Sequence, residues 1–154
     1  MKTLKFNKRI FFLALMAMFA FTACEKDEDE DMNDPNPPDP NDMLIVNDQM
    51  ISQNMINVAS VTFDANGWIV VHADDNNSPL VPDIISEPVM VEAGTKTNVQ
   101  VPLKEGTELM DGDQVWVMLH TDTGEAGNYE FDGSSGSADM PLTNNNGDIE
   151  MMDI

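Results

Sequence analysis

Downstream of residue 42 the apolar side chains come in short runs with a period of two, separated by Gly, Asn, Asp and Pro. No window sustains the period of 3.6 that a helix needs. Met43 to Val46 opens the pattern, and Ile56, Val58, Val61 and Phe63 continue it. The extra residue between Val58 and Val61 predicts a β-bulge around Ala59-Ser60. Asn66-Gly67 then reads as a two-residue turn, which makes GWIVVHA, from Gly67 to Ala73, the hairpin partner of the preceding strand. Ile84-Ile85 and Val89-Met90-Val91 follow, the latter placed at a sheet edge by Pro88. Val99, Val101 and Leu103 alternate with outward Asn98 and Gln100. QVWVMLHT, from Gln114 to Thr121, is the most apolar run and belongs at a sheet centre. Tyr129-Glu130-Phe131 and a last run near Ile149 to Met152 complete the set. Seven or eight short strands without a helix predict an all-β fold, an antiparallel β-sandwich. Immunoglobulin-like connectivity is the preferred topology over a jelly roll or another Greek key.

The first 42 residues follow other rules. MKTLKFNKR carries four cations, Lys2, Lys5, Lys8 and Arg9, ahead of an uncharged apolar run from Ile10 to Ala23. That run is shorter than the roughly 20 residues of a spanning helix, so residues 1–23 read as a cleaved signal peptide. The only cysteine of the chain, Cys24, stands directly after Phe21-Thr22-Ala23. A lone thiol forms no internal disulfide, and this setting resembles the lipobox of bacterial lipoproteins, with Phe21 where that motif usually has Leu. The resemblance implies lipidation of Cys24, with palmitate among the acyl chains, and attachment to the membrane through that lipid. Two or three acyl chains give stable attachment where one does not.

Residues 24–42 hold the lipidated cysteine and an acidic, proline-marked tether with almost nothing to bury. Extended, it would hold a domain roughly 50 Å from the bilayer. Its first seven residues, Glu25, Lys26, Asp27, Glu28, Asp29, Glu30 and Asp31, resemble the export tag that sends lipoproteins of some Gram-negative bacteria to the outer face of the outer membrane. The expected localisation is therefore the cell outer membrane, facing the exterior.

Charge narrows the function further. Without residues 1–23 the chain keeps three Lys against 28 acids, and residues 43–154 hold 19 acids against Lys96 and Lys104. Such a surface is repelled by phosphate backbones, which excludes nucleic acid as a partner. Residues 43–154 suffice for one domain with its own core.

A second resemblance covers almost all of that domain. Asp48-Gln49, the run from Gly67 to Ala73, Val91-x-Ala93-Gly94-Thr95 and the run from Met118 to Phe131, most specifically its stretch from Leu119 to Phe131, are similar to a domain of unknown function found in bacterial and archaeal cell-envelope proteins. The resemblance implies an extracytoplasmic all-β module and brings no catalytic residues with it.

Two chemistries remain to be weighed. Trp68-x-Val70-x-His72 and Trp116-x-Met118-x-His120 repeat one pattern at alternate positions, which puts each set on one face of its strand. If both sets face the core, His72 and His120 stand where their strands leave the sandwich, with Asp74 and Asp122 two residues on. Two histidines and carboxylates suit a transition metal, although a rim histidine bonded to backbone is the commoner arrangement. The loop from Asp122 to Asp132 offers Asp122, Glu125 and Glu130 to calcium, without the EF-hand spacing. No nucleophile and base occur in a recognisable arrangement, so the reading is no enzyme. The expectation is a lipid-anchored module that contacts a protein or glycan, with a metal-binding envelope protein as the alternative, through His72, His120, Asp122 and Glu130.

Overall fold

The computed structural model describes residues 43–154. The expected signal peptide and tether, with Cys24 and the run from Glu25 to Asp31, lie outside the described residues. Among the described residues seven strands occur in chain order, β1 (Leu44–Val46), β2 (Met55–Phe63), β3 (Gly67–Ala73), β4 (Val89–Val91), β5 (Gly94–Pro102), β6 (Val115–Thr121) and β7 (Met151–Asp153). They form two antiparallel sheets, β1-β2-β5 and β4-β3-β6-β7, and no helix occurs among the described residues. The core lies between them. Ile56, Val58, Val61 and Val101 of the first sheet face Ile69, Val71, Val117 and Leu119 of the second, all without exposure. Each such side chain contributes about 1.5–3 kcal/mol by leaving water.

The bulge expected at Ala59-Ser60 is present against β1, where Ile45 pairs with Ser60 but Val46 pairs with Val58. Against β5 the register runs on without a slip. There Asn98 takes a φ of 54° and shifts the inward phase of β5 in step with that of β2. Expected positions are also met by β4, at a sheet edge, and β6, at a sheet centre.

Three expectations are corrected. Gly67–Ala73 is not the hairpin partner of β2, because β2 and β3 lie in different sheets. A type I′ turn needs positive φ at both central residues, and neither Asn66 nor Gly67 has it. Gly67 serves close approach instead. A Cβ there would meet the Phe63 ring and stand 2.6 Å from the His120 carbonyl oxygen. Asn66 fastens this crossing, its Oδ1 accepting from Ala93 N and its carbonyl from Asp122 N. Tyr129-Glu130-Phe131 is not a strand but part of a long loop between β6 and β7. Ile84-Ile85 is likewise irregular, with Ile85 N bonded to Val71 O.

Candidate functional site

Alternation along β3 and β6 sends Ile69, Val71, Val117 and Leu119 into the inter-sheet core, and so sends Trp68, Val70, His72, Trp116, Met118 and His120 to the opposite face. The condition that both Trp-His sets face the inter-sheet core is therefore not met. That outer face is nevertheless dry. Trp68, Val70, His72, Met118 and His120 are all buried, and Trp116 is half-buried. A third layer is built over the sheet by the segment from Asp74 to Ser86 and the loop from Asp122 to Leu142.

The antiparallel register places His120 opposite Trp68, Met118 opposite Val70, and Trp116 opposite His72. The histidines are thus diagonal to each other across the Val70–Met118 pair. Their ring centroids lie 6.1 Å apart with 28° between planes. Each is tied to the overlying backbone through Nδ1, His72 to Asp83 O at 2.8 Å and His120 to Asp139 O at 2.7 Å. A carbonyl only accepts, so Nδ1 carries the proton in both rings and Nε2 keeps a lone pair. Both Nε2 atoms are buried without a hydrogen-bond partner among the described residues, as is Trp68 Nε1.

Burial holds both imidazoles neutral. It lowers the His120 pKa to about 4 against the opposing backbone bond to Asp139, and the nearby His72 lowers it further. His72 is lowered as well, again by burial against its bonds to Asp83 and Leu80. The roof is aromatic. Tyr129 packs edge-on to His120 at 5.5 Å and to Trp68 at 5.8 Å, and Phe131 edge-on to His120 at 4.8 Å. Burial pushes the Tyr129 phenol well above its ordinary value, with the Asp139 charge adding to the effect.

The carboxylates proposed beside the histidines are committed elsewhere. Asp74 Oδ1 accepts from Trp116 Nε1 at 2.8 Å, a bond that lowers its pKa, and Oδ2 accepts from Asn77 N. Asp122 Oδ1 accepts from Gly127 N at 3.1 Å, and Glu130 Oε2 from Glu125 N at 2.7 Å. Gly124, at φ 89°, leaves room for that Glu130 carboxylate, which a Cβ would strike. Among the described residues no three His, Cys, Asp or Glu side chains come together as a group that could hold a metal ion. The structure therefore unites His72 with His120 but does not gather Asp122 and Glu130 with them into one ligand set.

Asp139 went unnoticed in the sequence and organises the roof. It is fully buried, with Oδ1 accepting from Thr123 N and Oδ2 from Glu130 N, both at 2.7 Å. Its own N–H donates to Thr123 Oγ1. Ser86 was missed too. It is fully buried, and its Oγ accepts from Val71 N, closing the other edge of the covering layer. Away from the histidines, a groove of about 300 Å³ is lined by Met50, Ile51, Leu109 and Met110, with Met50 and Met110 strongly exposed.

Residues 42–154 match the model of a family described as a domain of unknown function, DUF7282. Neither a curated protein nor a solved structure matches the chain.

Proposed function

The chain belongs to the DUF7282 family, a domain of unknown function, and from that premise we propose that it is a lipid-anchored envelope protein displaying a non-catalytic β-sandwich as an interaction or structural module. The observation that carries this reading is Cys24, the one cysteine, set between a fourteen-residue uncharged run and an acidic spacer. A short apolar run cannot span a bilayer, so a lipid on Cys24 is what holds the protein there. The spacer then presents the domain outward from the outer membrane. The immunoglobulin-like connectivity is supported by the strand order, with β2 to β3, β4 to β5 and β5 to β6 all crossing between sheets. A protein or glycan is the partner class that a domain with 19 acids and two Lys can approach without phosphate repulsion.

Labelling with fatty acid tests the anchor. Cys24→Ser should abolish both incorporation and processing at Ala23, and unchanged labelling would refute the reading. Replacing the six acids between Glu25 and Asp31 by Ser or Gln should leave labelling intact while protecting the domain from protease added to whole cells. Equal shaving of both forms would reduce that run to a spacer.

A further inference from the structure

His72 and His120 present a problem that hydrogen bonding inside the protein does not solve. Each ring spends its one N–H on a carbonyl, so the two Nε2 atoms are both acceptors and cannot bond to each other. Both are fully buried, and neither finds a donor among the described residues. Such an orphaned acceptor is costly, and a leucine at either position would fill space in this apolar layer without that cost. Two neighbouring rings, 6.1 Å apart, that share one unmet requirement are explained by something that meets it for both.

The geometry points to a metal site in which His72 Nε2 and His120 Nε2 ligate one copper(I) ion, with the thioether of Met118 as the third donor. Met118 stands on the same face between the histidines, in the Val70–Met118 pair that the two rings flank, and is 1% exposed. The Nδ1–carbonyl bonds to Asp83 and Asp139 are the outer contacts by which ligating histidines are ordinarily oriented and their tautomer fixed. The choice of ion follows from the donor set. Calcium and magnesium require six or more oxygens, and the nearby acids Asp74, Asp122, Glu130 and Asp139 are bound to Trp116 or to backbone N–H groups. Zinc is held by three or four protein ligands of the His, Cys, Asp and Glu types, and no such group exists among the described residues. Copper(I) is soft, accepts imidazole and thioether, and is satisfied by two or three ligands. Its single charge also suits the dry space beneath Tyr129 and Phe131 better than a doubly charged ion with a hydration shell. This site does not depend on the anchoring reading and stands or falls separately.

The test uses the full-length chain in detergent carrying Cys24→Ser, because the single thiol would otherwise compete for copper. Copper(I) is added anaerobically as its bicinchoninate complex, and the chain should withdraw one equivalent. His72→Asn and His120→Asn keep an N–H donor for Asp83 O or Asp139 O but have no Nε2. Each should weaken binding by about 100-fold with an unchanged circular dichroism spectrum. Met118→Leu keeps the volume and should cost about tenfold for copper(I). No withdrawal of copper, or withdrawal by both Asn variants as strong as that of the chain with both histidines, would overturn the site; the second result would assign copper to exposed methionines such as Met50 and Met110. Should an Asn variant fail to fold, nitrogen NMR of the unsubstituted histidines decides. Both Nε2 resonances must move on addition of one equivalent, and unmoved resonances would mean that a shared water, not a metal, meets the two lone pairs.

Discussion

Asp139→Asn is the substitution that separates the covering layer from the rest of the sandwich. Asp139 sits at φ 52°, a left-handed conformation that Asn tolerates as well as Asp, so the change leaves the backbone unstrained. Volume is conserved. What changes is the second acceptor, replaced by an NH2 donor that must face either Thr123 N or Glu130 N, each now 2.7 Å away. One charge-assisted bond worth about 1.5–3 kcal/mol is lost, and one part-buried N–H is left facing another donor, at the lower end of about 1–3 kcal/mol. These overlap, so the expected loss is about 3 kcal/mol, out of a typical domain total of about 5–15 kcal/mol. For a domain of this size the melting temperature should fall by about 10 °C. Urea unfolding followed by tryptophan fluorescence reads the effect, since Trp68 packs on Tyr129 in the same layer. Hydrogen exchange at Thr123 and Glu130 localises it. A loss below about 1 kcal/mol, with both amides exchanging as before, would show that the roof is held by its aromatic packing and not by this carboxylate.

Three more outcomes are expected. Gly67→Ala should destabilise by about 2–3 kcal/mol, because the His120 carbonyl that its Cβ would press is fixed within the β3–β6 ladder; Gly94→Ala, at φ 99° but with open space around it, should cost only about 1 kcal/mol, and the reverse order in urea midpoints would refute the close-approach argument. In the metal-free protein His120 is neutral when folded, down to about pH 4, but takes up a proton below about 6.5 when unfolded. Its contribution is therefore complete above pH 6.5 and is lost as pH falls towards 4, about 3 kcal/mol over the whole window, with His72 acting in the same direction. His120→Asn should flatten the slope of stability between pH 6.5 and 5, before the carboxylates titrate, and an unchanged slope would contradict burial of a neutral ring. Mutual repulsion of 19 acids against two Lys should make the domain more stable from low salt to about 0.15 M; a rise in melting temperature at about 1 mM calcium beyond a control of matched ionic strength, removed by Asp122→Asn, would establish a carboxylate site in that loop, and no excess would retire it.

The period-two pattern made most strands readable because one face of each must be dry. It located β5 through Val99 and Val101, with Leu103 just past its end, and β6 through its unbroken apolar run. It failed where a local signal competed with a global need. Asn66-Gly67 is a strong turn signal, yet β3 is buried along both faces and needs cover on each side. A strand of that kind belongs in the four-stranded sheet beside β6, and the chain crosses between sheets to place it there. Pro88 kept its meaning because an edge is a local property, a missing donor on one side of one strand.

The histidine pair was half legible for a related reason. The spacing of Trp68, Val70 and His72, and of Trp116, Met118 and His120, correctly put each triplet on one face, but two faces of β3 and β6 are apolar and alternation alone cannot say which one meets the other sheet. Both faces being apolar was itself the signal that a third layer exists. That layer is irregular backbone, so it has no periodicity to detect. Tyr129-Glu130-Phe131 mimics a strand because its aromatic residues alternate with an acid, while in the fold Tyr129 and Phe131 pack on His120 and Glu130 holds the N–H of Glu125. Asp139 left no trace because it lies between Ala138 and Met140 in a polar segment, and its importance comes from Thr123 and Glu130, sixteen and nine residues away in sequence. The consequence reaches the site itself. The same loop that covers His120 supplies the Asp139 carbonyl that selects its Nδ1–H tautomer, so it is the roof that keeps the lone pair on Nε2.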